Sequence, residues 1–193
     1  MAAERTLSTA RDRRATVVSS AIETFARGGF HGVTIAAVAE RAGISPAYVS
    51  KLFSSKTRLF TAALDECHRR IVDTMERGAE AAEDTSPEAV LHAMGDAYAA
   101  LIADRDLLAL QVKAQAAMAE PEIAEAVRRG TAEIATFAAT RSRADGAAVQ
   151  RFMAYGQLCH LLTTIDAFEI DAPWAAMLTE GIRHSPPEGG ERS

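Results

Sequence analysis

The chain is expected to be all-α, with about nine helices, and three observations predict it. No stretch shows the sustained period-two alternation that a half-buried strand needs. Apolar residues recur instead at three- and four-residue spacing from Val17 to Ile182. Four of the six prolines, Pro46, Pro87, Pro121 and Pro173, fall where a helix should start, the one position at which the missing N–H has no helical partner to lose.

Met1 to Ser8 lacks periodicity and reads as a mobile arm. From Thr9, the residues Val17, Val18, Ala21, Ile22, Phe25 and Ala26 form one apolar face that should end at Gly28-Gly29. Arg11, Arg13 and Arg14 sit in its first turns, where they oppose the helix dipole; nearby phosphates would explain them, and so would plain solvation. Phe30 and Val33 lead into a second helix, Thr34 to Ala42, with Thr34 as its N-cap and Ile35, Val38, Ala39 and Ala42 at helical spacing. Gly43-Ile44-Ser45 is then a three-residue turn: the glycine tolerates the left-handed corner, Ile44 plugs between helices and Ser45 caps the next one. Pro46 opens a third short helix that runs to Phe53. Two short helices crossing at such a turn form a helix-turn-helix. Its core is expected on Val18, Ile22, Phe25, Ile35, Val38, Ile44, Val49, Leu52 and Phe53.

Ser54 or Ser55 should cap a longer helix with Phe60, Leu64, Cys67, Ile71 and Met75 down to Gly78. Such a helix is long enough to floor the first unit and wall the next. After the polar stretch Glu80 to Thr85, Ser86-Pro87 starts a helix with Val90, Leu91, Met94, Ala97, Tyr98 and Leu101. Asp104 or Asp106 starts another, with Leu107, Leu108, Leu110, Ala114 and Met118, stopped by Glu120-Pro121. Ile123, Val127, Ile134 and Phe137 extend a further helix to about Arg143. Past Gly146 an apolar run reaches Phe168, and Pro173 opens a last helix with Trp174, Met177, Leu178 and Ile182. The Pro/Gly tail from Ser185 to Ser193 is expected to be disordered.

Thr34-Ile35, Ala39, Ala42-Gly43-Ile44-Ser45, Phe53, Lys56 and Leu59-Phe60 together resemble the N-terminal signature of the TetR family of bacterial transcriptional regulators. Two positions depart from it: Ser50 stands where a tyrosine is common, and Leu52 where an aromatic residue or histidine often sits. Tyr48 resembles a variant found in part of the family. The resemblance implies an N-terminal three-helix DNA-binding domain, residues 9–55, and a C-terminal effector-binding and dimerisation domain, residues 56–185, with a tail at 186–193. It implies a repressor, because most members repress.

In a helix-turn-helix the second helix enters the major groove. Ser45, Ala47, Tyr48 and Lys51 should face outward, since Ile44, Val49, Leu52 and Phe53 are apolar. Tyr48 suits a thymine methyl or a phosphate, Ala47 permits close approach, and Lys51 reaches a guanine edge or a phosphate. Pro46 belongs to the same inserted turn. Thr34 and Lys56 sit at helix N-termini, where the dipole favours an anion. The plain alternatives are a tyrosine packed under the motif and a solvated lysine.

The net charge is -5, yet residues 1–58 hold nine Lys/Arg against four Asp/Glu and the remainder twelve against twenty-two. A basic end on an acidic body fits docking of double-stranded DNA through the N-terminus, because local field governs phosphate attraction. No apolar run follows Met1 and no window approaches the roughly eighteen residues that span a bilayer, so no membrane association and a cytoplasmic location are expected. Cys67 and Cys159, each followed by a histidine, do not form a disulfide scaffold; adjacent helical residues point about 100° apart, a poor chelate, and no metal or cofactor is expected.

The run from Val149 to Phe168 is apolar on more than one face, which calls for further core or a second subunit. The resemblance implies that Ala147–Phe168 and Trp174–Arg183 pair with their copies as a four-helix bundle, with Phe152, Gly156, Cys159, Trp174 and Leu178 as interface candidates. Such a homodimer would present two recognition helices about 34 Å apart and bind a palindromic operator. Gln111 and Gln115 lie one turn apart, and His68, Met75, Met94, Tyr98, Met118 and Phe137 are plausible neighbours in a pocket for a small, mainly apolar effector. Ordinary core methionines and surface glutamines are the alternative. The competing functional classes are a regulator without a small-molecule effector, controlled by a protein partner or by cysteine oxidation, and a helical-bundle enzyme. No nucleotide loop, nucleophile elbow or metalloprotease motif supports the last.

Overall fold

The computed structural model describes residues 2–182, with side chains from Ala10 onward, and the expected tail at 186–193 lies outside the described residues. Among those residues there are nine α-helices, one short 3-10 turn and no strand, so the all-α expectation holds. The helices are α1 Ala2–Gly32, α2 Ile35–Ala42, α3 Pro46–Phe53, α4 Lys56–Glu80, α5 Pro87–Leu101, α6 Arg105–Ala116, α7 Pro121–Ser142, α8 Gly146–Thr164 and α9 Pro173–Thr179. No helix among the described residues is long and apolar enough to cross a membrane.

Two compact units share the chain: residues 1–68 with 109–130, and residues 69–108 with 131–193. In the first, α1 packs on α2 and α2 on α3. Val17, Ala21, Phe25, Val38, Ala39, Val49, Leu59, Phe60 and Leu64 are fully buried there. Phe60 receives Phe25 and Phe30 edge-on, with ring centroids 4.8 and 5.3 Å away, the arrangement that sets a positive ring edge against a negative face. Gly29 interrupts α1 with φ 66° and ψ 178°, where the glycine pair was expected to end it, and a last turn continues to Gly32. At the other end α1 reaches back to Ala2 instead of Thr9; residues such as Ala2, Ala3, Glu4 and Arg5 favour helix without supplying an apolar face, so periodicity alone could not register it. Two ion pairs, Arg58 Nε to Glu122 at 3.2 Å and Arg129 to Asp65, tie α4 to α7 in this unit.

In the second unit α5 packs against α8, and Met75, Met94, Ile102, Leu107 and Leu162 are buried to 2% exposure or less. Arg141 Nε lies 3.1 Å from both carboxylate oxygens of Glu76, so α4 and α7 are paired here as well. Gly78, expected to stop α4, lies within it: a Cβ there would come to 2.6 Å from the Ala93 carbonyl oxygen, so its bareness serves a close approach of α5. Ser86 precedes α5 but makes no capping bond, because its hydroxyl donates to Asp84 at 2.8 Å. Ser142 closes α7 by donating to the Ala138 carbonyl at 2.6 Å, and Asp145 caps α8 through Ala148 N–H at 2.8 Å. The last two helices are shorter than expected. α8 ends at Thr164 because Asp166 adopts a left-handed conformation, φ 52°, with its carboxylate 2.6 Å from Arg105 Nη2. Phe168 then belongs to the 3-10 turn Ala167–Glu169, and α9 ends at Thr179.

Candidate nucleic-acid interface

The turn between α2 and α3 is built as its residue types require. Thr34 Oγ1 accepts the Ala37 N–H at 3.2 Å and Ser45 Oγ accepts the Tyr48 N–H at 3.3 Å, each satisfying an N–H that a helix start leaves without a partner. Gly43, at φ 65° and ψ 30°, sends its N–H back to the Glu40 carbonyl at 3.1 Å, and Ile44 N–H reaches the Ala39 carbonyl at 3.0 Å. These paired bonds close α2 and fix the direction in which α3 leaves.

α3 then divides cleanly. Val49 is fully buried and Phe53 nearly so, whereas Ser45, Pro46, Ala47, Ser50 and Lys51 are exposed on the other side. Ile35, Ile44 and Leu52 are half-buried, at the margin of the core for which they were expected. Tyr48 is also half-buried, and the guanidinium carbon of Arg13 stands 5.6 Å from its ring centroid. Thr34 is exposed, and the half-buried Lys56 sets its ammonium 4.6 Å from the Phe30 ring centroid. The seven residues expected at DNA thus line α3 and the starts of α2 and α4, none of them fully buried.

The sequence flagged Arg13 and Arg14 only as basic residues at a helix start. In the structure they differ. Arg14 Nη1 donates to the Leu52 carbonyl at 3.4 Å and its guanidinium carbon lies 4.4 Å from the Phe53 centroid, so a positive charge meets the negative C-terminal end of α3. Arg13 stays exposed beside Tyr48, where it adds positive charge to the outward face. The offset between α1 and α3 is a long-range fact, and no local pattern signals it.

The effector candidates are distributed over both units. His68, Gln111, Gln115 and Met118 belong to the first, where His68 is buried with its ring against Gly130, Gln111 is half-buried, and Gln115 and Met118 are exposed. Met75, Met94, Tyr98 and Phe137 belong to the second; both methionines are buried, and Tyr98 and Phe137 are half-buried. Of these, Tyr98 is hydrogen-bonded to His160, a buried histidine that the sequence marked only as the neighbour of Cys159. Burial depresses the His160 pKa and raises that of the Cys159 thiol. Among the interface candidates, Phe152 and Gly156 face Gly95 and Tyr98 of α5, and Cys159 is buried with Ile102 and Leu108. Trp174 and Leu178 are exposed, as are Tyr155, Leu161, Ile165, Ile170 and Met177. Cys67 and Cys159 are buried and are not joined in a disulfide, and no group of three or more His, Cys, Asp or Glu among the described residues is arranged to hold a metal.

Residues 17–63 match the family model described as bacterial regulatory proteins, tetR family. No curated protein sequence matches the chain. Among solved structures it is similar to the fatty acid degradation regulator FadR from Bacillus halodurans, at 16% identity and TM-score 0.69, covering 90% of this chain and 97% of that one. FadR from Bacillus subtilis, solved in complex with stearoyl-CoA, aligns at 15% identity and TM-score 0.66 over 86% and 94% of the two chains. A TetR-like transcriptional regulator from Rhodococcus sp. RHA1 aligns at 20% identity and TM-score 0.63 over 87% and 91%. At such identities the likeness is one of fold, and the residue-level match is that of the N-terminal segment. Residues 17–63 thus carry the N-terminal segment of the tetR family of bacterial regulatory proteins, and the chain shares its fold with a solved TetR-like transcriptional regulator.

Proposed function

We propose that the protein is a cytoplasmic repressor that binds a palindromic operator as a homodimer and is released by a small, mainly apolar effector. The observation that carries the DNA-binding part is the two-faced α3: Val49 and Phe53 are buried while Ser45, Pro46, Ala47 and Lys51 are presented to solvent. Lys51 and Tyr48 contact base edges or phosphates, Thr34 and Lys56 hold phosphates at helix starts, and Arg13 adds a further phosphate contact beside Tyr48. The exposed apolar residues Tyr155, Leu161 and Ile165 of α8 with Trp174, Met177 and Leu178 of α9 support a second copy of the chain as the partner of this end. Phe152, Gly156 and Cys159 line the α5 side of α8, and the paired face is therefore the opposite one.

The effector part is supported by the second unit's mix of buried methionines with a Tyr-His pair, and by a structural relative that was solved with stearoyl-CoA, a molecule with a long apolar chain. α4 supplies residues to both units, so a ligand that prefers one arrangement of the second unit biases the first by a coupling of about 1–3 kcal/mol. The test is binding of the full chain to inverted repeats from the DNA flanking its gene. The expected result is salt-dependent binding to one repeat, at two chains per site, that a ligand weakens. Failure to bind any duplex more tightly than unrelated DNA at moderate salt contradicts the reading.

A further inference from the structure

In the second unit α5 packs against α8, and a Tyr–His pair joins the two helices. His160 is 4% exposed, and its Nε2 is hydrogen-bonded to the Tyr98 hydroxyl, with the ring centroids 5.8 Å apart. Its Nδ1 is buried and has no hydrogen-bond partner among the described residues. Ile102, Leu108 and Cys159 are buried at the same place, with Tyr98 and Ile182 packed on them. A polar atom buried without a partner carries a desolvation penalty that nothing offsets, and such groups call for an explanation.

The glycines on this seam are informative by contrast. At Gly78 and Gly28 a Cβ would come within 2.6 Å of the Ala93 carbonyl oxygen and 2.7 Å of Val33 Cγ2, so packing there demands glycine. At Gly95 and Gly156 a Cβ would sit 3.6 Å from Phe152 Cε2 and 3.9 Å from Tyr98 Cε1, ordinary contact distances. Packing does not require bareness at either position, and Gly156 leaves room for a methyl group beside Tyr98. Tyr98, Gly95, Phe152 and Gly156 are all only half-buried, so the seam can be reached from solvent.

We propose that the Tyr98–His160 pair is the polar anchor of a binding site in the α5–α8 seam for an uncharged, largely apolar molecule bearing one hydroxyl or carbonyl oxygen. The proposal deepens the effector reading above and rests on it. A neutral imidazole carries one N–H. With the tyrosine hydroxyl donating to Nε2, that N–H is at Nδ1 and donates to a carbonyl; with the proton on Nε2, Nδ1 accepts from a hydroxyl. One pair therefore serves either oxygen type without any change of charge. A carboxylate is disfavoured, because it would place an unbalanced charge in an apolar seam.

The full chain, labelled with 15N-histidine, is titrated with cyclohexanone, cyclohexanol, methylcyclohexane and cyclohexanecarboxylate, reading the His160 ring nitrogens and the Tm. The two neutral oxygen compounds should move the Nδ1 signal and bind about fivefold to tenfold more tightly than methylcyclohexane, the worth of one neutral hydrogen bond. His160→Phe and Tyr98→Phe should abolish that preference. Gly156→Ala, which fills the room and keeps the pair, should weaken binding without lowering the Tm of the free protein, and so keeps the question open to decision if His160→Phe does not fold. The proposal is overturned if none of the four compounds moves the His160 nitrogens, if methylcyclohexane binds as well as the oxygen compounds, or if the carboxylate binds best. Compounds that raise the Tm yet leave His160 unmoved overturn the anchor alone. The effector reading is decided separately, by ligand-driven release of operator DNA.

Discussion

Val49 and Lys51 stand two residues apart on α3 and meet opposite surroundings, one fully buried and the other exposed, which is how so short a helix is both anchored and available. Lys51→Ala should weaken operator binding similarly across sequences and lower the slope of log affinity against log salt by about 1 if the contact is to a phosphate. Titrations by fluorescence anisotropy at several salt concentrations check this, and a Lys51→Ala protein with unchanged affinity and slope removes Lys51 from the interface. Thr34 and Ser45 each satisfy a backbone N–H, so Thr34→Ala or Ser45→Ala should cost about 1 kcal/mol of stability, read by urea unfolding. His160 makes a prediction about pH. Burial holds its folded pKa below the unfolded value of about 6.5, so the unfolded chain takes up the proton first. Its contribution is present above that pH, is lost as the pH falls through about 6.5, and the loss levels off at the folded pKa. His160→Phe should therefore flatten the stability-pH curve between about pH 7.5 and 5.5 relative to the parent, and an equal slope in both proteins contradicts the assignment.

At the scale of elements, the same residue type does different work according to what faces it. Gly78→Ala drives a methyl into the α5 backbone and should destabilise the fold by about 1–3 kcal/mol, whereas Gly156→Ala should be tolerated. Differential scanning calorimetry of the two variants decides the point, and equal Tm values would contradict the packing argument. The same contrast explains what could be read from the chain beforehand. α2 and α3 were legible to the residue, because Thr34, Gly43, Ser45 and Pro46 act locally through caps and a left-handed turn. Gly78 misled, because a helical glycine that admits a neighbour looks the same in sequence as one that ends a helix. The end of α8 was hidden for a similar reason: Asp166 turns left-handed with its carboxylate on Arg105, sixty-one residues away. The separate placements of Arg13 and Arg14 depend on how α1 crosses α3, which no local pattern encodes. The phase of α8 was illegible because it is apolar on more than one face, so periodicity could not say whether Phe152 and Cys159 or Tyr155 and Leu161 face α5.

At the scale of the molecule, charge and apolar surface are sorted along the chain. Residues 1–58 carry five more positive than negative charges, and the remainder ten more negative than positive. That sorting concentrates attraction for DNA on the helix-turn-helix end and repels it elsewhere. Apart from Met118, the exposed large apolar residues among the described residues collect instead on α8, α9 and the segment between them, where Met177 is 71% and Leu161 52% exposed. Leu161→Asp combined with Met177→Asp should convert the proposed dimer into a folded monomer in sedimentation velocity, and a variant that remains dimeric moves the interface elsewhere. Both features serve one claim, that α3 is carried as a pair into successive major grooves. The most direct test is the affinity of the full chain for the proposed inverted repeat, measured for the parent and for the Tyr48→Ala, Lys51→Ala double variant. The account predicts a loss of about 10²-fold or more with the fold and the dimer intact, whereas undiminished binding by the double variant would contradict it.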